Sequence, residues 1–201
     1  METTVLGRSG LRASRIALGT WQLGGDWGAF DERAAVATIR RAHELGVNLF
    51  DTAQGYGFGA SARLLGRALA DVLRARREQV VLATKGGLRR RGARMVRDSS
   101  PRLAAAGRRG EPPGARGRAH RPLPAPLADP DTPLGASAEA LGRLVKEGKI
   151  DHVGVSNFGV AEVREGARTR PVQTIQPPTT CFGARSRPTR CPTLGKTTSG
   201  S

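Results

Sequence analysis

The chain has 201 residues, enough for one domain or part of a larger one, with 38% apolar and only 4% aromatic residues. A formal net charge of +16 would normally suggest nucleic acid or an anionic membrane surface as a partner. Its distribution argues against that: residues 89–121 carry eleven Arg against Asp98 and Glu111, and residues 177–201 carry Arg185, Arg187, Arg190 and Lys196 with no acid, so these two blocks hold 13 of the 16 charges.

In chain order, Thr3–Gly7 and Leu11–Ser14, separated by Arg-Ser-Gly, predict a small hairpin. Arg15–Trp21 is a short apolar strand running into a Gly-rich loop. Asp31 is placed to cap a helix through about Leu45, with Ala35, Ala37, Ile39 and Ala42 as its apolar positions and Gly46 as its stop. Val47–Asp51 is a second strand, Ser61–Leu73 a second helix with Leu64, Leu65, Leu69 and Val72 on one face, and Gln79–Lys85 a third strand. From Arg102 to Ala128 no apolar period is present. Order resumes with a helix near Ala136–Glu147, a strand over Asp151–Asn157, a helix over Val160–Thr169 and a strand over Val172–Gln176, and is lost again after Pro178. Nearly continuous apolar strands alternating with helices imply a parallel sheet covered by helices.

Three residues carry the chemistry. Asp51 ends the second strand, Tyr56 follows in a Gly-rich turn, and Lys85 ends the third strand. A phenol alone is a poor proton donor near neutral pH. An ammonium beside it favours the phenolate and tunes it for acid–base work, and the ammonium needs a carboxylate to orient it. Taken singly, each residue has an ordinary reading: a surface tyrosine at a turn, a solvated strand end, a capping acid. Their joint placement at strand ends favours catalysis.

The segments GTWQLGG, DTAQGYG, LLGRAL, TKGG, EGKIDHVGVSNF and QPP, in this order and spacing over about residues 1–101 and 129–178, resemble the aldo-keto reductase family. The resemblance implies an α/β fold, a (β/α)8 TIM barrel with NADP(H) at its C-terminal mouth, here incomplete: about six strands, the fourth scrambled and the last two missing. It implies that Tyr56 protonates the carbonyl of a small aldehyde or ketone, with Lys85 tuning the phenol and Asp51 pairing to Lys85. Ser156, Asn157 and Gln176 would hold the nicotinamide carboxamide, and Gly19, Thr20 and Trp21 would line the cofactor and substrate cleft. Ala62 stands where the family commonly has Glu after Ser61.

The chain departs from the family where the fourth strand should end in a His-Trp pair. Ala119–Ala128, AHRPLPAPLA, can be encoded so that the next reading frame gives HIDLYQLHW, a strand ending in that pair. From Pro178 a shifted frame likewise admits a reading that begins YHLLRRE. The expectation is three frame changes, near Leu103, Ala128 and Pro178, making 1–178 a partial barrel with 102–128 scrambled and 179–201 a non-native tail. Such a chain is expected to fold poorly and to be impaired or inactive as a reductase.

Cys181 and Cys191 have neither CxxC spacing nor a nearby histidine, so no metal or redox role is expected. His43 and His152 have structural readings, His120 lies in the scrambled block, and the Arg run 89–97 is expected to be a solvated loop. No signal peptide and no membrane-length apolar run is evident, so the expected location is cytoplasmic with no membrane partner. The competing functions are a non-catalytic fragment or barrel-like subunit, and a basic nucleic-acid-binding protein. No aromatics interleave with the arginines, which argues against specific nucleic-acid binding. The substrate and the oligomeric state are left open by the sequence.

Overall fold

The computed structural model describes residues 1–91, 94–98, 100, 122–124, 132–148, 150–169 and 171–177. The expected non-native tail, both cysteines, His120 and most of the scrambled block lie outside these residues.

Strands β1 (Thr3–Val5) and β2 (Arg12–Ser14) form the expected antiparallel hairpin. It is docked at two points. Ser14 N donates to Asn48 Oδ1 at 2.7 Å and Asn48 N donates to Ser14 Oγ at 3.1 Å, while Arg8 N donates to Gln173 O at 2.7 Å. Gly7 makes the second contact possible. Its φ is +55°, and a Cβ there would overlap the Gln173 carbonyl.

Strands β3 (Leu18–Gly19), β4 (Leu49–Asp51) and β5 (Val81–Ala83) form a parallel sheet in that order. Helix α1 (Glu32–Glu44) starts where expected because the Asp31 carboxylate accepts from Arg33 N and Ala34 N, two donors the helix itself leaves unsatisfied. Its buried stripe is Ala35 and Ile39 with Val36 and Ala42 beside them; Ala37, expected on this stripe, is exposed. The helix expected over Ser61–Leu73 is two: α2 (Ala60–Ala68) and α3 (Ala70–Ala75), broken at Leu69, whose φ and ψ of −103° and 13° leave the helical region. The break still seats Leu64, Leu65, Leu69 and Leu73 in one core with Phe50, Val80 and Leu82. Full burial of such a side chain stabilises by about 1.5–3 kcal/mol, which outweighs the loss of helical regularity at one residue.

The Arg run expected as a solvated loop contains two strands, β6 (Leu88–Arg91) and β7 (Arg94–Arg97), paired antiparallel with Leu88 opposite Arg97. Strand periodicity was hidden there because arginine supplies no apolar alternation to read.

A second parallel sheet has the order β10 (Thr174–Gln176), β9 (His152–Ser156), β8 (Pro122–Pro124). Helices α4 (Leu134–Lys146) and α5 (Val160–Thr169) accompany it. Its core is Ala140, Leu141, Leu144, Ile150, Val153, Val155 and Phe158. Where the sequence shows no strand, β8 runs parallel to β9 with Leu123 opposite Val153. Proline lacks the N–H a ladder needs, so within β8 only Leu123 can donate. The chain is thus built as two blocks of strand and helix alternation, each with its own apolar core, and among the described residues no strand pairing joins the two sheets.

Candidate active site

The register of the first sheet brings the chemistry together. Asp51 lies opposite Ala83 across β4 and β5. Side chains alternate along a strand, so when Phe50 and Leu82 face the helices, Asp51 and Ala83 face the barrel interior. Lys85, two residues past Ala83, shares that side. The result is a tight pair: Lys85 Nζ lies 2.5 Å from Asp51 Oδ1 and 2.6 Å from Oδ2, with side-chain exposures of 17% and 16%.

Tyr56 enters the pair from the turn between β4 and α2. Its backbone N donates to Ala53 O, and Gln54 N donates to Lys85 O at 2.9 Å, which ties the turn to the end of β5. The turn then bends sharply: Gly57 and Phe58 have φ of 56° and 50°. Gly57 also abuts Gly24 of the preceding loop, and its N donates to Asp26 Oδ2 at 3.2 Å. The phenol oxygen consequently lies 3.4 Å from Lys85 Nζ.

Proton counting makes this arrangement directional. An ammonium has three donors and no acceptor. Two N–H bonds go to Asp51 and one is left for the Tyr56 oxygen. Because that oxygen accepts from Lys85, its own O–H proton is turned away from the ammonium.

The other expected residues sit at neighbouring strand ends. Gly19 ends β3 and borders open space. Thr20 is fully buried, with both its N and its Oγ1 donating to Asp51 O at 2.9 and 3.0 Å. Trp21 stacks on Tyr56 at 5.8 Å between ring centroids and 16° between planes, and meets Trp27 edge-on at 5.2 Å. Trp21, Trp27 and Phe58 are 50%, 63% and 46% exposed, an apolar rim beside the phenol.

From the second sheet, Ser156 lies opposite Gln176, and Asn157 N donates to Gln176 O at 3.1 Å. Asn157 has φ of 60°, a conformation asparagine tolerates better than most residues. Gln176 Nε2 donates to Asp51 Oδ2 at 3.2 Å, so the strand end farthest along the sequence touches the acid–amine–phenol group. Ser156 is buried, and Asn157 and Gln176 are exposed. A cavity of about 140 Å³ opens in the interior, with Asp51 and Gln176 at its polar edge and Leu49, Ala83, Val155 and Ile175 among its apolar lining.

The donor set fits the nicotinamide end of a cofactor. The Asn157 and Gln176 amides each offer a donor and an acceptor, the complement of a carboxamide, at adjacent strand ends, and Gln176 reaches the acid–amine–phenol group. No described residue is assigned to the adenosine end.

Sequence reasoning did not single out Ser61, Thr52 and Asp26, which hold the turn. Ser61 and Thr52 are fully buried hydroxyls. The one available signal was a serine among the buried leucines at the start of α2. His43 packs against Phe50 at 6.4 Å, consistent with a structural residue. No helix among the described residues is long and apolar enough to cross a membrane.

Comparison with known proteins gives the family and the fold. Residues 15–110 match the model of the aldo/keto reductase family. The chain is 35% identical to an aldo-keto reductase of Bacillus subtilis, YhdN, over 90% of this chain and 55% of the relative. It is 32% identical to the NADH-specific methylglyoxal reductase of Escherichia coli, over 88% of this chain and 58% of the relative. Among solved structures, the glycerol dehydrogenase of Gluconobacter oxydans superposes with a TM-score of 0.74 at 33% identity, over 90% of this chain and 56% of that one. The chain therefore spans a little over half the length of the relatives it matches. On these matches it belongs to the aldo-keto reductase family and has the fold of an incomplete (β/α)8 barrel.

Proposed function

We propose that the chain derives from an NADP(H)-linked oxidoreductase that reduces an aldehyde or ketone to an alcohol. The observation that carries this is the Asp51–Lys85–Tyr56 chain, in which the ammonium is fixed at both carboxylate oxygens and points its third donor at the phenol. When bound, a reduced nicotinamide supplies the hydride. Tyr56 then supplies the proton to the carbonyl oxygen, Lys85 compensates the charge left on the phenol oxygen, and Asp51 keeps Lys85 in place. Asn157 and Gln176 orient the carboxamide, and Trp21 shields one face of the phenol from water. NADP(H) rather than NAD(H) follows from the family resemblance; the E. coli relative is NADH-specific by name.

As written, the chain is expected to be impaired. A barrel closes only with a consistent number and tilt of strands, and an incomplete parallel sheet leaves open edges. We attribute the disordered composition of 102–128 and 179–201 to shifted reading frames. The position of β8 supports this: Pro122–Pro124 coincides with Leu-Tyr-Gln of the shifted reading HIDLYQLHW, inside a strand in that frame. The test is a comparison of the chain as written with a version carrying the restored frames. Both are assayed for NADPH- and NADH-dependent reduction of small aldehydes, and the gene is resequenced around codons 103, 128 and 178. Activity only in the restored chain is the expected result. No activity in a folded, restored chain overturns the enzyme reading, and an unbroken frame with an intact-protein mass that matches it overturns the frame reading.

A further inference from the structure

We propose that Ser61 is a positioning residue, the middle member of a cluster of buried hydroxyls that locks the Tyr56 turn and the Trp21 loop to the backbone of Asp51. The catalytic meaning of this role rests on the reductase reading; the geometric claim does not.

Thr20, Thr52 and Ser61 are each 0% exposed. Thr52 Oγ1 lies 3.3 Å from Ser61 Oγ, Ser61 Oγ lies 2.7 Å from Thr20 Oγ1, and Thr20 Oγ1 lies 3.0 Å from Asp51 O. A hydroxyl has one proton to give. The end of the series is a carbonyl, which only accepts, so Thr20 must donate to Asp51 O. The Ser61 proton is placed to go to Thr20 Oγ1 or to the Thr20 carbonyl, and Ser61 Oγ can also pair with Thr52. The three hydroxyls form one connected cluster that ends at the Asp51 carbonyl. Ser61 Oγ also lies 2.8 Å from Thr20 O, so one side chain meets Thr20 at both its hydroxyl and its carbonyl.

The placement of the three residues gives the cluster its effect. Thr52 and Ser61 are the two stems of the turn that carries Tyr56, so their bond closes that turn. Thr20 directly precedes Trp21, which stacks on the Tyr56 ring. Asp51, the terminal acceptor, is the residue whose carboxylate holds Lys85. One buried serine therefore sets the distance between phenol, amine and indole without touching substrate or cofactor. A buried hydroxyl left without its partner has no water to turn to, so the cluster is either intact or locally broken.

The experiment uses the chain as it exists. Ser61→Ala is compared with the parent by amide hydrogen exchange and by the circular dichroism of the two tryptophans, both of which lie in this region. The expected result is exchange faster by about 10- to 100-fold at Thr20 and Thr52. The signal from the Trp21–Trp27 pair is expected to weaken, while helix content and protection of 134–146 and 152–156 stay unchanged. Thr52→Val, which removes the outer hydroxyl at similar side-chain size, is expected to give the same changes in smaller degree, and Thr52→Ser to give neither. Exchange that rises uniformly over the chain, or an unchanged tryptophan signal in Ser61→Ala, overturns the proposal. If Ser61→Ala does not fold, the contrast between Thr52→Val and Thr52→Ser decides it. Failure of the reductase reading would instead appear as absent carbonyl reduction in a restored chain with the cluster intact.

Discussion

The two apolar cores are separable by mutation. Leu65 is fully buried in the first core and Leu141 is 2% exposed in the second, and the two cores share no residue. Truncating either to alanine removes buried methyl groups and leaves a cavity, at a cost of about 2–5 kcal/mol. The first block, about 85 residues, is stable by only about 4–13 kcal/mol at the usual 0.05–0.15 kcal/mol per residue, so the loss is a large share of the total. With a urea slope of about 1–2 kcal/mol per M, a 3 kcal/mol loss moves a midpoint by about 1.5–3 M. The assay follows two signals through urea. The near-ultraviolet circular dichroism of Trp21 and Trp27 reports the first block alone; far-ultraviolet ellipticity reports both, because α1 to α3 and α4 with α5 carry comparable helix. Leu65→Ala is expected to move the tryptophan transition and leave part of the helical signal in place. Leu141→Ala is expected to do the reverse. If both signals shift together in both variants, the molecule unfolds as one unit and the reasoning from separate cores is refuted.

Three further outcomes are expected. In the frame-restored chain, Tyr56→Phe lowers carbonyl reduction by at least about 10²-fold, the usual worth of a general acid, while cofactor quenching of Trp21 fluorescence is retained; parent-like activity would show that the proton comes from elsewhere. Gly57→Ala forces an L side chain into φ of 56° and against the Gly24 carbonyl, so it costs more than about 1 kcal/mol and weakens the tryptophan circular dichroism, both checked by urea titration. Asp31→Ala removes the side-chain acceptor for Arg33 N and Ala34 N and lowers the stability of the first block by about 0.5–2 kcal/mol, seen in the tryptophan transition and not in the residual helix.

The elements legible in the sequence are those whose signal is local. Asp31 before an apolar stripe fixed the start of α1, and the Thr3 and Leu11 runs around Arg-Ser-Gly fixed the hairpin. The break at Leu69 was illegible because the apolar spacing continues across it. Strand β8 was illegible for a different reason: its neighbour β9 and the slot beside it define the strand, and the local residues, two of them proline, argue against one. At the site, Asp51, Tyr56 and Lys85 were readable because each stands at a strand end or a Gly turn. Ser61 and Thr52 were not, since a buried hydroxyl differs from an exposed one only by what surrounds it.

The candidate site is unevenly distributed along the chain. Asp51 ends β4, Tyr56 lies in the turn after it and Lys85 follows β5, and the bonds that join these three to one another and to Thr20 and Ser61 stay within residues 20–85. Among the described residues, Gln176 is the site residue bonded across from the second sheet, through its Nε2 to Asp51 Oδ2. The proposed proton-transfer group is therefore anchored locally, while the proposed grip on the nicotinamide depends on how the second block sits against the first. Loss of barrel closure acts first on that second relation. A chain in this condition should fail by weak cofactor binding before it fails by misplacing the phenol, so cofactor affinity and the tryptophan signal, measured on the same sample, separate the two causes of low activity.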